Sequence, residues 1–460
     1  MDIQQRRTQL LLLSAIVLVA LFNVFFMLGD TPLASWDESR HGVTAYEMLE
    51  SGNFILTTYR LGVDYYNVKP VLSFLPQAAG IKIFGPNAFG LRFFSAFAFV
   101  LTLFCVFRIA YVNKGATFAL LSGLIFVTSI RLITRHGART GDADAVFVFL
   151  YCLALVFILI KTPSYFRFYI ASFVAGLAFL TKSFHAAPLC LTIIILYLMQ
   201  MKISRKAFVN GLGCCAAAII PVGIWMGLRY QYDGLVFFEH MFFMDLLHRA
   251  SEVMEGHNGR WYYYFIKLLQ NFPVWLGALL VLLAMCLTRQ KKTTGLFRVK
   301  DPFLVKLFII VAIPFVMLTV STSKLDWYLY STFPFVSMLL AAGFIYWANI
   351  AVSRSPDLRR AIAVLLMISF VASEAVIVRN ITALRYNRDP AQETIYQLGK
   401  EGKRQPLYLF VGKGRDGRTG WRQCLVLASK FYGDFVLMPW GIRGFEQFDH
   451  QDKFLIIDYK

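Results

Sequence analysis

Long apolar runs constrain this chain more than any other feature of its sequence. A helix needs about 20 mainly apolar residues to cross the hydrocarbon core of a bilayer, and eleven runs approach that length. They lie at about residues 9–28, 90–110, 117–133, 144–160, 168–181, 186–200, 208–228, 264–287, 303–320, 327–349 and 361–378. The sequence therefore predicts an all-α polytopic membrane protein with about 11 transmembrane helices.

The composition of the whole chain supports this class. Hydrophobic residues make up 58% of the 460 residues and charged residues only 16%, whereas soluble domains carry about 25% charged residues. These values exclude a soluble globular enzyme. They also exclude a disordered chain, which has few apolar residues.

The net charge of +19 is mainly a topology signal. Lys and Arg cluster in alternate connections between the apolar runs, and the positive-inside rule places such connections in the cytoplasm. The first run follows Arg6 and Arg7 and lacks an A-x-A cleavage pattern, so it is predicted to be a retained anchor. Eleven spans then place the C-terminus outside. No nucleotide-binding motif occurs on the predicted cytoplasmic side.

Two segments outside the spans have their own predicted structure. Residues 71–84 are too short to span and are predicted to form an interfacial helix in a first outer loop over residues 29–89, with a second amphipathic helix near 38–51. Residues 1–378 form the transmembrane domain. Residues 379–460 are predicted to form a small extracytoplasmic α/β domain, with a helix after Asp389 and strands in PLYLFV, FYGDFVLM and KFLIIDYK.

The first cluster of charges follows the first span, in the segment Trp36–His41. Asp37 and Glu38 form a carboxylate pair that could supply a general base or a metal ligand. Alternatively, Asp37 or Ser39 would cap the start of the amphipathic helix, with acids in its first turn. Both roles remain open from the spacing alone.

Further charges occur in the next outer segments. Lys69 precedes Pro70 at headgroup depth, where a lysine can bind a phosphate or snorkel beside the membrane. Arg135, His136, Arg139, Asp142 and Asp144 fall within one short outer loop. The two acids could act in chemistry or stabilise the start of the following helix through its dipole.

The remaining outer loops add cations and aromatic residues. Lys182 lies in a brief turn, Arg260 precedes a run of aromatic residues, and Lys324 lies just before the tenth span. Histidines in the loop near 229–263 lack a tight zinc spacing. Acids and cations thus recur on one face, as suits a substrate with a phosphate at the interface and a lipid tail in the bilayer.

Six segments carry a resemblance to a known family. They are WDESRHGVTAYEMLESGNF, NVKPVLSFLPQAAGIKIFGPNAFGLRFFSA, ARTGDADAVFVF, GLAFLTKSFHAAP, FFMDLLHRASEVMEGHNGRWYYY and STSKLDWYLYSTFPF. In this order they resemble the membrane-embedded C-type glycosyltransferases, in the branch of protein O-mannosyltransferases and lipid A aminoarabinose transferases. The resemblance covers about residues 30–345 and does not extend beyond residue 379.

The resemblance implies an inverting transfer of one sugar from a polyprenyl phosphate to an envelope acceptor, which would be lipid A or another glycolipid, a glycan or a protein. It assigns Asp37 as the base or acceptor-orienting carboxylate, with Glu38 beside it and Asp144 or Asp142 as the acid of the second outer loop. Donor phosphate contacts are expected from Lys69, Arg139, Lys182, Arg260 and Lys324. Substrate contacts are expected from His41, Tyr66 and Tyr328.

The resemblance also implies the setting of the reaction. The protein would lie in the bacterial inner membrane, with its site and C-terminus in the periplasm and with membrane lipids but no nucleic acid as partners. Aminoarabinose transferases typically have Glu before the Lys-Pro pair, where this chain has Val68. That Glu can participate in a metal site, so no cofactor is assigned and a divalent metal stays open.

Two other functions are compatible with a polytopic membrane protein. A flippase or transporter of lipid-linked sugar would place its polar groups near the bilayer midplane, often at broken helices in repeated halves. Here the polar groups concentrate on one face, which favours the transferase. A purely structural membrane subunit would be insensitive to changes at Lys69 or Arg139.

Overall fold

The computed structural model describes most of the chain. The described residues are 3–160, 162–243, 259–287, 301–386, 389–401, 407–410, 423–433 and 437–440. The predicted strand KFLIIDYK, at residues 453–460, lies outside them. So does part of the outer loop between residues 229 and 263.

All eleven apolar runs are mainly helical, with breaks at residues 128–129 and 272. The helices of this part, from the N-terminus onward, are α1 (Ile3–Phe25), α2 (Asp37–Ser51), α3 (Leu75–Phe84), α4 (Ala88–Lys114), α5 (Ala116–Val127), α6 (Ile130–Thr134), α7 (Asp144–Ile158), α8 (Tyr165–Lys182), α9 (Ala187–Gln200), α10 (Arg205–Asp233), α11 (Val236–Met241), α12 (Tyr263–Asn271), α13 (Pro273–Leu287), α14 (Pro302–Val320), α15 (Phe333–Arg354) and α16 (Leu358–Tyr386).

Seven helical stretches in the described residues are long and apolar enough to cross a membrane, and the chain is a multi-pass membrane protein. The stretch Tyr165–Gln200 counts as one of the seven although it contains both α8 and α9. Helices α12 and α13 meet at an angle of 85° and would form an eighth span. The helices α5 and α7 are apolar but shorter.

The predicted outer loop between α1 and α4 is well structured. It contains α2, a short antiparallel hairpin of β1 (Thr58–Tyr59) and β2 (Gly62–Val63), a 3-10 turn at Val71–Ser73, and α3. Helices α2 and α3 lie where the interfacial helices are predicted. The hairpin has no counterpart among the predicted elements, because two-residue strands leave no alternation of apolar and polar residues to detect.

The C-terminal part contains four described elements. They are α17 (Pro390–Lys400), β3 (Leu407–Phe410), α18 (Gln423–Tyr432) and β4 (Leu437–Trp440), with β3 and β4 parallel. Asp389 caps α17 by accepting a hydrogen bond from the N–H of Ala391 at 3.0 Å. Of the predicted strand FYGDFVLM, Phe431 and Tyr432 instead end helix α18, and the strand begins at Leu437.

The C-terminal helices do not stand apart from the rest of the chain. Helix α16 continues past the predicted domain boundary at residue 379 to Tyr386. Apolar residues of α17 and α18 then share a buried cluster with α2, α3 and the start of α4, separate from the large apolar core between the spans. The first outer loop and the C-terminal part therefore form one packed layer on the end of the helical bundle.

Ion pairs connect segments that the charge pattern assigns to the same membrane face. Lys114 pairs with Asp301 between two predicted cytoplasmic connections. On the opposite face, Arg131 pairs with Asp326, and Lys430 of α18 lies 3.3 Å from Glu47 of α2. In each pair, residues that the charge pattern assigns to one membrane face lie together in the structure.

A buried ion pair joins α2 to the bundle. Glu38 and Arg92 are each about 2% exposed, and the guanidinium donates to both carboxylate oxygens, at 2.6 and 2.9 Å. Glu38 also accepts hydrogen bonds from the N–H groups of Ala34 and Gly141. Arg92 donates in addition to carbonyls of residues 28, 31 and 32. The pair fixes the start of α2 against α4 and the loop before α7.

We expect that Arg92→Leu lowers the free energy of unfolding by about 3–5 kcal/mol, because Glu38 would remain buried without a counter-charge. Denaturation of the purified protein in detergent measures this loss. Arg108→Leu is the matched control, since Arg108 is exposed on the same helix. Equal stability losses in the two variants would contradict the structural role of the pair.

Candidate active site

The candidate site lies where the start of α2 meets the loop before α7. Asp37 is the first residue of α2, and its side chain is 48% exposed. The Nδ1 atom of His136 lies 3.9 Å from an Asp37 oxygen and 3.4 Å from an Asp142 oxygen. One imidazole thus lies between two carboxylates, one accessible and one buried.

His136 is held in this position from two sides. Its ring stacks on Trp327 with centroids 3.8 Å apart, and its backbone adopts φ 44°, a conformation uncommon for residues other than glycine. Such backbone strain persists only where the surroundings enforce it. The sequence places His136 in a charged outer loop but indicates no role for it. Its contacts join loops almost 200 residues apart, so only the folded structure identifies it.

The charges around His136 set its protonation. Burial alone would lower its pKa, but the contact with Asp142 and the charge of Asp37 outweigh burial and raise the pKa of His136 to about 9. Burial would likewise raise the pKa of Asp142, yet His136 and the hydroxyl of Thr140 lower it overall. At neutral pH the site therefore contains a buried Asp142 carboxylate beside an imidazolium.

Asp144 extends the cluster toward α8. Its carboxylate pairs with Lys182, and both side chains are 7% exposed. The Lys182 ammonium lies 5.6 Å from the centre of the Tyr328 ring, which also contacts His185 at 4.1 Å. Asp142 accepts a hydrogen bond from the N–H of Asp144 at 3.2 Å. Both acids of the second outer loop are thus within one connected network.

His41 and Lys69 belong to the same region. His41 is 5% exposed and packs edge-on against Phe74. Burial lowers its pKa, while the charges of Asp37 and Asp142 oppose this and those of Lys69 and Lys182 add to it. His41 is therefore neutral at pH 7. Lys69, which is half-buried, is close enough for its charge to act on the centre of the site.

Other predicted site residues are engaged elsewhere. Glu38 is occupied by Arg92 and two backbone N–H groups. Arg139 donates to the carbonyls of Asn23 and Val24 at the end of α1, at 3.0 and 3.2 Å. Burial, with the charge of Arg92, lowers the pKa of Arg139 to about 10. These contacts give Glu38 and Arg139 structural roles in joining helices.

Arg260 and Lys324 lie in neighbouring segments, since the Lys324 side chain is next to Gly259. Arg260 is exposed and donates to the hydroxyl of Tyr262 at 3.0 Å. Lys324 is buried and donates to the carbonyl of Ser321, and its stem passes beside Gly259. Tyr66 is 51% exposed, and its ring lies under Arg40, 4.7 Å from the guanidinium. None of these contacts includes Asp37.

The position that could bring a metal ligand is apolar. Val68 is 2% exposed and belongs to a cluster with Trp225, Phe237 and Met241. Within the described ranges, no group of three His, Cys, Asp or Glu side chains could hold a metal ion.

Of the four carboxylates predicted to be catalytic, Asp37 is the exposed one. Glu38, Asp142 and Asp144 are buried, with at most 7% of each side chain exposed. Asp37 is exposed and has positive charge beside it. The arrangement can accept a proton from a hydroxyl at Asp37 while surrounding cations stabilise an anion.

Comparison with known proteins shows which families the chain is similar to in sequence. Residues 68–225 match the family model of dolichyl-phosphate-mannose-protein mannosyltransferase. The undecaprenyl phosphate-alpha-4-amino-4-deoxy-L-arabinose arabinosyl transferase of Aeromonas salmonicida is 26% identical over 333 residues, which cover 70% of this chain and 58% of that protein. The corresponding protein of Yersinia enterocolitica is 26% identical, with 79% and 65% covered. The chain therefore spans about three fifths of the length of these relatives.

Solved structures show the same fold. ArnT from Cupriavidus metallidurans, bound to undecaprenyl phosphate, has a TM-score of 0.71 and 16% identity, with 93% of this chain and 85% of that chain covered. The Archaeoglobus fulgidus oligosaccharyltransferase has a TM-score of 0.56 and 11% identity, with 94% and 64% covered. The chain is thus similar in sequence to protein O-mannosyltransferases and aminoarabinose transferases, and it shares the fold of the membrane-embedded glycosyltransferase ArnT.

Proposed function

We propose that the chain is an inverting glycosyltransferase that moves a sugar from a polyprenyl phosphate to an envelope acceptor. The acceptor is a glycolipid such as lipid A, a glycan or a protein. The reaction takes place at the periplasmic face of the bacterial inner membrane, in an eleven-span protein whose C-terminal α/β part lies on the same side. The observation that carries this proposal is the accessible Asp37 carboxylate beside a set of buried, fixed charges.

The proposed chemistry is a single displacement. A carboxylate oxygen of Asp37 takes the proton from an acceptor hydroxyl. The acceptor oxygen forms a bond to C1 of the sugar while the bond from C1 to the phosphate oxygen breaks. The electron pair leaves with the polyprenyl phosphate, and configuration at C1 inverts. The products are the glycosylated acceptor, the polyprenyl phosphate and a protonated Asp37.

Fixed positive charges assist the leaving group. Lys69 lies on the outer loop and its charge acts within the site, so it is placed to contact the departing phosphate. Lys182, which is paired with Asp144, contributes its positive charge from within that pair. Arg260 and Lys324 contribute positive charge at the rim of the site. Positioned charges of this kind stabilise a developing anion without reorganising during the reaction.

His136 has an orienting role in this proposal. Because its pKa is about 9, it is positively charged at neutral pH and already holds the proton that a general base would have to accept. It attracts the Asp37 carboxylate and connects it to buried Asp142. The direction of Asp37 is thereby set by a side chain that is itself fixed on Trp327.

Asp37→Asn should reduce transfer by about 10²–10⁴-fold, since an amide cannot accept the hydroxyl proton. The assay supplies undecaprenyl-phosphate aminoarabinose and an envelope lipid extract to the purified protein in detergent, and mass spectrometry detects the glycosylated product. Asp30→Asn is the control, because Asp30 is an exposed carboxylate nearby. Normal turnover by the Asp37 variant would remove it from the mechanism. Product formed without a sealed membrane argues against a pure flippase.

Lys69→Ala should lower kcat/KM for the donor by about 10-fold or more, the loss expected for a charge-assisted hydrogen bond, with a smaller effect on the acceptor. Initial rates at varied donor and varied acceptor separate the two. Lys82→Ala is the control, because Lys82 is exposed on α3. Equal losses for both substrates would count against a contact with the donor phosphate.

The protonation of His136 predicts how stability depends on pH. Its pKa rises from 6.5 to about 9 on folding, so its stabilising contribution is fully present below about 6.5 and is lost as pH rises through about 9. Unfolding of the wild type between about pH 6 and pH 10 should therefore show a steeper loss of stability than unfolding of His136→Asn. Identical pH profiles would refute a charged His136 in the folded protein.

A further inference from the structure

The segment that leads into Asp37 has a strained conformation. Residues 33–36 end the connection between α1 and α2, and Trp36 adopts φ 65° and ψ −122° immediately before Asp37. No side chain caps the start of α2. A non-glycine residue in such a conformation costs free energy and keeps it only when neighbouring groups enforce it. The direction of Asp37 therefore depends on what holds residues 33–36.

Two glutamines from the C-terminal helices hold this segment. Gln392 of α17 pairs with both backbone groups of Leu33: its Oε1 accepts from the N–H at 2.9 Å, and its Nε2 donates to the carbonyl at 2.9 Å. Gln423 begins α18, and its Oε1 accepts from the Ser35 hydroxyl at 2.9 Å and the Trp36 N–H at 3.4 Å. Gln392 and Gln423 are 7% and 6% exposed.

The rest of α18 keeps Gln423 in place. Leu427 packs so closely on Gly42 of α2 that a Cβ there would lie 2.6 Å from a leucine methyl carbon. Farther along, Lys430 lies 3.3 Å from both Glu47 and Glu50. Helix α18 therefore follows α2 along most of its length, from the turn before Asp37 toward its C-terminal end.

We infer that Gln423 and Gln392 are positioning residues for Asp37, and that the C-terminal helices complete the active site through the backbone of residues 33–36. This inference rests on the proposed function. It gives the C-terminal part a role in the transfer reaction itself, although the resemblance noted in the sequence ends before that part.

The chemistry of the two amides makes the inference testable by paired substitutions. Gln423 is used only as an acceptor toward Ser35 and Trp36, so Gln423→Glu keeps the interaction and Gln423→Leu removes it. Gln392 both accepts and donates at Leu33. Gln392→Glu therefore places a carboxylate against the Leu33 carbonyl. We expect this variant to lose activity, whereas Gln423→Glu retains it.

We expect Gln423→Leu to lower kcat by about 10- to 100-fold, because small misplacements of a reacting group have effects of that size. KM for undecaprenyl-phosphate aminoarabinose and the thermal midpoint should stay near the wild-type values. Gln423→Glu should retain activity, and Gln392→Glu should resemble Gln423→Leu. Gln397→Leu is the control, because Gln397 is exposed on the same helix as Gln392.

Hydrogen exchange of the full-length protein supplies a measurement independent of turnover. The N–H groups of Leu33 and Trp36 should exchange faster in Gln392→Leu and Gln423→Leu, respectively, than in the wild type. Unchanged exchange, or wild-type kcat in Gln423→Leu, would overturn the inference. If the wild type itself transfers no sugar, the proposed function fails, and the exchange rates still decide whether the glutamines hold this segment.

Discussion

The buried ion pair between Glu38 and Arg92 is the interaction on which the site depends. Two charges removed from water are tolerated only when their hydrogen-bonding capacity is satisfied, and here the partners come from four segments: α2, α4, the connection after α1 and the loop before α7. Because Glu38 follows Asp37 directly, fixing one carboxylate inside the protein leaves its neighbour exposed at the surface.

The two adjacent acids thus have different roles because their environments differ. Glu38 is surrounded by donors and holds the layer of outer helices to the bundle. Asp37 has an imidazolium beside it and solvent in front of it. A similar division separates the acids of the second outer loop, where Asp142 faces His136 and Asp144 faces Lys182. The site is a series of charge pairs with one accessible end.

The sequence predicted the helical membrane architecture well, because long apolar runs are a strong and local signal. It also indicated Asp37, Lys69, Asp142 and Asp144 as candidates, because charges at a membrane face are costly and therefore informative, and the structure places them in one region. The spacing of the residues could not distinguish the role of Asp37 from that of Glu38, because neighbouring positions on a helix differ only in what they face. Nor could it find the role of His136, whose partner Trp327 lies in a distant loop.

The C-terminal part shows a second limit of prediction from the sequence. Strand propensity indicated β3, but α18 was not foreseen, and Gln392 and Gln423 have no feature that distinguishes them from surface glutamines. Their importance follows from a contact with residues 33–36, almost 400 positions earlier in the chain. A single sequence contains no pattern that indicates a long-range hydrogen bond to the backbone.

The stereochemistry of transfer tests the central claim most directly. With a donor of known anomeric configuration, nuclear magnetic resonance of the product formed by the purified protein shows whether C1 has inverted or retained its configuration. Direct attack by an acceptor deprotonated by Asp37 predicts inversion in every product molecule. Retention would mean that a covalent sugar–enzyme intermediate or another route intervenes, and it would contradict the single displacement proposed for this site.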